Sequence, residues 1–231
     1  MEENKKSYAV PLAIVFAGIV IAGAILFTKD ADRTLFDRNL SNQSNEVVNT
    51  SFSKIDADDD PVLGNPSAPV TLINFGDFRC RFCAKFQKDI KPAIIEKYVK
   101  TGKVKYVYRD FITMGENSIL AAGGANCAGE QGKYWDFADY LHSQEAGHNK
   151  MYTKESLGKI ADLLGLDKVL FEKCLNSGEY IAEVKKDSDD AIKGGASGTP
   201  TVFINGRIIP GVNPISVYEA VIEEELSKIN Y

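Results

Sequence analysis

The strongest candidates for chemistry in this chain are Cys80 and Cys83, which bracket Arg81 and Phe82. Ahead of them, residues 69–75 are apolar and β-prone. Behind them, residues 84–90 carry apolar side chains at helical spacing. The pair therefore falls where a buried strand gives way to a helix. The first turn of a helix holds unpaired N–H groups and the positive end of the helix dipole, and both favour a thiolate. Arg79 and Arg81 flank Cys80 and push the same way. Cys83 stands one turn further along, close enough to close a short disulfide. This pattern suits thiol–disulfide exchange, with Cys80 attacking and Cys83 resolving. The other reading is half of a structural zinc site, which needs a second close pair of ligands. Cys127 and Cys174 are single and far apart, and His142 and His148 stand six residues apart, so no second pair is evident.

The elements that must position the pair follow from patterning. Residues 69–75 predict a strand, and residues 80–100 a helix kinked at Pro92 and ended at Thr101-Gly102. Residues 104–109 alternate as a second strand, which makes a parallel βαβ unit. A helical block follows over 117–142, 154–164, 166–175 and 179–192, with Gly165 splitting the middle pair. Strands return at 200–204 and 207–209, joined by Asn205-Gly206, a strong hairpin signal. An amphipathic helix over 215–229 closes the chain, with Val217, Val221, Ile222 and Leu226 on one side. The fold class is α/β, with a helical insertion at about 116–193 between the βαβ half and the ββα half. Trp135 reads as a packing residue.

Length and charge narrow the function. A chain of 231 residues holds one ordinary domain with accessories. Net charge is −5, and no stretch combines basic clusters with aromatics, which argues against nucleic-acid binding. Residues 8–27 are free of charge. As a helix they would span roughly 30 Å, the thickness of a bilayer core. This predicts an N-terminal transmembrane helix after a short tail, residues 1–7. A cleaved signal peptide is the alternative, but the run is long for one and lacks a clear cleavage site. Residues 28–61 are rich in Asn, Ser and Asp and read as a flexible linker, either a leash or a plain spacer. The folded domain is expected over 62–231, beginning near Val62.

Three segments then carry a resemblance. Residues 75–83 resemble the active-site segment of DsbA-like thioredoxin-fold proteins. Residues 198–206, Gly-Thr-Pro-Thr-Val-Phe-Ile-Asn-Gly, resemble their cis-proline loop and the hairpin after it. Residues 127–135 are similar to a segment of their helical insertion. The resemblance implies a thioredoxin fold interrupted by helices and working outside the cytoplasm. It implies an exposed, nucleophilic Cys80 and a buried, resolving Cys83. It also implies a cis peptide between Thr199 and Pro200, packed against the pair. The Thr199 backbone would then pair with an extended substrate segment.

This chain departs from the family pattern in three places. Phe82 stands where strong oxidants of the family often carry His. Asn74 stands where members often carry an acid. Thr199 precedes the proline, as it also does in reductase and isomerase relatives. Asp77 could take over proton handling or serve as a loop cap. In an oxidising compartment Cys127 and Cys174 are expected to pair, the alternative being two buried thiols. The family reading is a monomeric, membrane-anchored protein dithiol oxidase needing no cofactor or metal. It would act on thiol-containing exported proteins or peptides and be reoxidised by a quinone-linked membrane partner. Its alternatives are a reductase or isomerase of the same fold, or a non-catalytic metal-binding or chaperone module.

Overall fold

The computed structural model describes the backbone of residues 49–52 and the whole of residues 55–144 and 151–229. The expected span at 8–27 lies outside these residues. No helix among the described residues is long and apolar enough to cross a membrane.

Six strands form one sheet: β1 (Asn49–Phe52), β2 (Val62–Leu63), β3 (Val70–Gly76), β4 (Val104–Asp110), β5 (Thr201–Ile204) and β6 (Arg207–Pro210). Their order is β1-β6-β5-β3-β4-β2. β3 and β4 run parallel, and the other pairs are antiparallel. The helices are α1 (Arg81–Asp89), α2 (Lys91–Ile94), α3 (Glu116–Gly129), α4 (Tyr134–Ser143), α5 (Lys154–Leu163), α6 (Lys168–Ser177), α7 (Ile181–Lys193) and α8 (Ile215–Ser227). The fold is that of thioredoxin with a helical block between β4 and β5.

Alternation along the central strands builds two cores. Val70 and Leu72 of β3, Tyr106 of β4 and Val202 and Ile204 of β5 join the core that also receives Phe86, Tyr218 and Ile222. Ile73, Phe75, Val107 and Phe203 turn to the other face, where Ala191 and Ile208 cover them. Both faces of the central strands are thus buried, which is why they read as near-continuous apolar runs. The hairpin turn is built as its sequence predicts. Asn205 and Gly206 take φ of 46° and 85°, values that favour these two residue types. The Asn205 side chain also accepts from Thr71 N at 2.9 Å, which ties the turn to β3.

Some expected elements break where local chemistry demands it. The helix expected over 80–100 divides at Ile90. Pro92 has no N–H to give and sits in the first turn of α2, where none is needed. A π-helical turn, Ile95–Val99, then finishes the segment. The block expected over 117–142 divides into α3 and α4 around Gly132, whose φ of 70° ends the run. Cys127 of α3 and Cys174 of α6 form a disulfide with Cα atoms 5.8 Å apart.

The main correction concerns the linker expected over 28–61. Its described residues belong to the folded unit. β1 pairs with β6 and forms an edge of the sheet, and Ile55 and Ala57 pack on the second core. Asp58 and Asp60 approach Arg109 at 3.6 and 2.8 Å. Arg109 on β4 is 2% exposed and also meets Asp187 and Asp190 of α7. Its guanidinium lies 5.2 Å from the centre of the Phe75 ring. An Asp-rich stretch looks like a solvated tether in sequence, yet here its acids serve a buried cation. The carboxylates outnumber that cation. Burial, and then the charge of Asp187, push Asp60 up to about 9, with Arg109 pulling the other way. Burial likewise raises Asp187 and Asp110. Burial and mutual repulsion thus favour the protonated carboxyl groups, and Arg109 opposes them.

Two stability effects are expected. Arg109→Met removes the shared cation, and loss of one partner of a buried pair costs about 3–5 kcal/mol. Urea unfolding at neutral pH reads this directly. Removing the disulfide in C127A/C174A, which frees a separation of 47 residues, should cost about 2–4 kcal/mol without slowing exchange at Cys80.

Candidate active site

β3 ends at Gly76, and the chain turns through Asp77, Phe78 and Arg79 before α1 begins. A Cβ on Gly76 would lie 2.7 Å from the Tyr108 hydroxyl, so only glycine fits this close approach. Cys80 N donates to Asp77 O at 3.0 Å, which closes the turn. Cys80 is the N-cap of α1, with extended φ and ψ of −76° and 119°, and no side chain caps the helix there. The first turn therefore directs its free N–H groups at the cysteine sulfur. Both thiols are free, and they are buried to different degrees. Cys80 is 3% exposed and Cys83 0%.

The peptide between Thr199 and Pro200 is cis, and Pro200 is buried. The Cys80 thiol donates to Thr199 O at 3.4 Å, so the proline loop lies directly against the pair. On the other side, Asp77 N donates to the Cys83 sulfur at 3.5 Å. Phe82 carries the exposure that the sequence assigns to Cys80: its ring is 48% exposed, with the Arg81 guanidinium 4.7 Å from its centre.

The two thiols differ in acidity. Cys80 is lowered from about 9 to about 6. The largest cause is the hydrogen bond from the Cys83 thiol, followed among the favourable ones by the Thr199 hydroxyl and the backbone N–H groups of Cys83 and Phe82; burial opposes them. Cys83 is raised, first by burial and then by its interactions with Cys80. The expected helix-start N–H groups contribute, and the correction concerns the flanking arginines. Neutral donors stabilise the Cys80 thiolate, whereas Arg79 reaches away to Met114 O and Arg81 lies over Phe82.

Asp77, weighed for proton handling or as a loop cap, makes the contacts of a cap. Its Oδ1 accepts from Arg79 N at 2.8 Å, and its Oδ2 from Thr113 N and Met114 N at 2.8 and 2.9 Å. The carboxylate is a loop cap that holds the active-site turn to the segment after β4. Behind the pair, Asn74 donates to the Tyr106 hydroxyl at 2.9 Å, and Gln87 donates to the same oxygen at 3.0 Å. Thr113 is the site residue that sequence patterning missed. It lies 36 residues from Asp77 and no motif marks it.

Metal-ligating geometry occurs elsewhere among the described residues. Asp58, Asp59 and Glu183, and Asp60, Glu183 and Asp187, each bring oxygens within 4.8 Å of one another. Both groups lie at the Arg109 cluster. A third group, Glu130, Cys174 and Glu179, includes a sulfur already held in the disulfide.

A thioredoxin family model matches residues 56–224, which include the cysteine pair, the cis-proline loop and the insertion. The chain belongs to the thioredoxin family. Within that family it is a DsbA-like thiol–disulfide oxidoreductase. It is 30% identical over 234 residues to a probable disulfide bond formation protein D of Bacillus anthracis, covering 99% of this chain and 100% of that one. Among solved structures it is similar to oxidised BdbD from Bacillus subtilis, with TM-score 0.72 and 28% identity over 78% of this chain and 100% of that one. It is also similar to alpha-DsbA1 of Wolbachia pipientis, with TM-score 0.68 and 25% identity over 76% of this chain and 94% of that one.

The acidity difference has a direct readout. Between about pH 6 and the raised Cys83 value, Cys80 alone is a thiolate. Iodoacetamide should label reduced Cys80 first, with the rate falling by half near pH 6. Because the folded value is depressed, its contribution to the stability of the reduced form is full above about pH 9 and is lost as pH falls through about 6. Earlier labelling of Cys83 would reverse the assignment.

Proposed function

We propose that this chain is a protein dithiol oxidase, with Cys80 as the attacking and attacked sulfur and Cys83 as the resolving one. The observation that carries this reading is the set of hydrogen bonds that lowers Cys80 to about 6. A stabilised thiolate favours the reduced enzyme, which makes the Cys80–Cys83 disulfide a stronger oxidant. The relatives named as disulfide bond formation proteins support the same direction.

The reaction runs in two exchanges. A substrate thiolate attacks Sγ of Cys80, the Cys80–Cys83 bond breaks, and Cys83 leaves and takes up a proton. A second substrate thiolate then attacks the substrate sulfur of this mixed disulfide. Cys80 departs as a thiolate, and its low pKa makes it the better leaving group of the two enzyme sulfurs. Two electrons pass from the substrate dithiol to the enzyme. The Thr199 carbonyl and the cis-proline edge would hold an extended substrate segment beside Cys80.

The substrates would be exported proteins or peptides bearing thiols. The charge-free residues 8–27 support a single-pass membrane anchor, and the bacterial relatives support a catalytic domain on the extracytoplasmic side, which would act as a monomer. A quinone-linked membrane oxidant would restore the disulfide.

Trapping tests the roles, and the reduction potential tests the direction. Cys83→Ser should accumulate mixed disulfides through Cys80, and Cys80→Ser should accumulate none and lose turnover. A potential for Cys80–Cys83 near about −120 mV is expected of an oxidant, and one near about −270 mV would instead assign a reductase.

A further inference from the structure

A cleft of about 1020 Å³ is walled by α1, α2 and the end of α4. Its mouth abuts the active-site turn. Arg81, the residue after Cys80, lines it, and so does His142, whose ring lies 4.8 Å from that of Phe78. The chain as a whole has a net charge of −5, yet five cations and three acids line this cleft. The three acids are already matched within it: Asp89 by Lys85, Asp139 by Lys91 and Glu96 by Lys100. The surplus falls on Arg81 and Lys88, which are exposed and form no ion pair among the described residues. Seven positions apart on α1, they share one face of the helix, two turns or roughly 10 Å apart along its axis. The Arg81 guanidinium lies over the Phe82 ring, 4.7 Å from its centre. Stacking uses the face of the group and leaves its N–H edge for a carboxylate.

We propose that this cleft is a specificity site for the thiol substrate, with Arg81 and Lys88 taking acidic side chains that flank its reacting cysteine. This rests on Cys80 being the attacked sulfur of an oxidase. With the substrate sulfur bonded to Cys80, the segment beside it passes Arg81 and then Lys88. An extended chain rises about 3.3 Å per residue, so carboxylates about three residues apart match the two cations. Arg81 thereby gains a task that does not involve the Cys80 sulfur. The net charge of the whole protein works against an acidic substrate at long range. At about 150 mM salt that field is screened beyond roughly 8 Å, whereas contact pairs persist. A preference for acidic segments therefore reports the local cations.

Synthetic dithiol peptides whose cysteines are flanked by Asp, Asn or Lys test this against the oxidised protein. Each rate constant is divided by the same peptide's rate with dithiodipyridine, an uncharged disulfide, which removes differences among the peptides' own thiols. At about 150 mM salt the Asp peptide should react about fivefold faster than the Asn peptide, as two exposed ion pairs allow, and the Lys peptide should be slowest. At about 1 M salt the three should converge. Lys88→Glu, outside the cysteine pair, should at least halve the Asp-to-Asn ratio, and R81E/K88E should favour the Lys peptide. The Asn peptide registers any general change at the thiols. Equal rates for the Asp and Asn peptides overturn the proposal, and so does an Asp preference that survives in R81E/K88E. Binding of polyphosphate to the cleft alongside equal peptide rates would assign it to a free polyanion instead. A protein that reduces peptide disulfides but does not oxidise the dithiols would overturn the oxidase reading, and the Asp-to-Asn ratio in that direction would still decide the cleft.

Discussion

The site depends on one buried carboxylate. Asp77 is fully buried, and its two oxygens gather backbone N–H groups from its own turn and from the segment after β4. Through Thr113 the same carboxylate reaches the Thr199 hydroxyl on the cis-proline loop. Three segments far apart in sequence therefore share one anchor. Charge-assisted bonds to backbone N–H groups are among the stronger ones available to a loop. A loop held this way presents Cys80 at the helix start and the Thr199 carbonyl beside it without rearrangement.

Asymmetry between the cysteines then follows from position. Cys80 caps a helix whose first N–H groups have no other partner. Cys83 lies inside the first turn, under the strand end, where burial raises it. The thiol of Cys83 becomes the donor that stabilises its neighbour. Each cysteine thus owes part of its acidity to the other, and the pair acts as a unit during exchange.

Much of this was legible in the sequence. Strand, helix and hairpin stood out because the central strands are buried on both faces and the turn residues are those the turn requires. Cys80, Cys83 and Pro200 were readable because their spacing and context are specific. Other features were hidden for physical reasons. β1 and β2 are short edge strands of four and two residues, too brief to show a period. Asp58 and Asp60 belong to a stretch with the composition of a solvated spacer, and the fold gives them a task by placing Arg109 and Lys186 beside them. The acidity of Cys80 was legible in direction, and the helix-start N–H groups are among its sources, but the Cys83 thiol as the largest one was not. Arginines adjacent in sequence need not point at a neighbour, whereas the Thr199 carbonyl of a distant loop lies against Cys80.

The carboxyl end of β4 and the segment that follows it handle charge in opposite ways, and this difference fits the chemistry. Arg109 lies near the carboxyl end, on the second core, where it and Lys186 meet several carboxylates and burial pushes Asp60 up. Past the end of the strand, Thr113 and Met114 join the thiol site, whose anion is met by hydrogen-bond donors without a paired cation. A lysine or arginine placed against Cys80 would hold the thiolate more strongly by charge, but it would also attract solution anions and bind a departing carboxylate-bearing segment. Neutral donors stabilise the sulfur over a short range, and only while it sits in the helix mouth. When Cys80 is bonded to another sulfur, the same N–H groups face a neutral atom and contribute little. The stabilisation is therefore specific to the reduced state, as an oxidant requires.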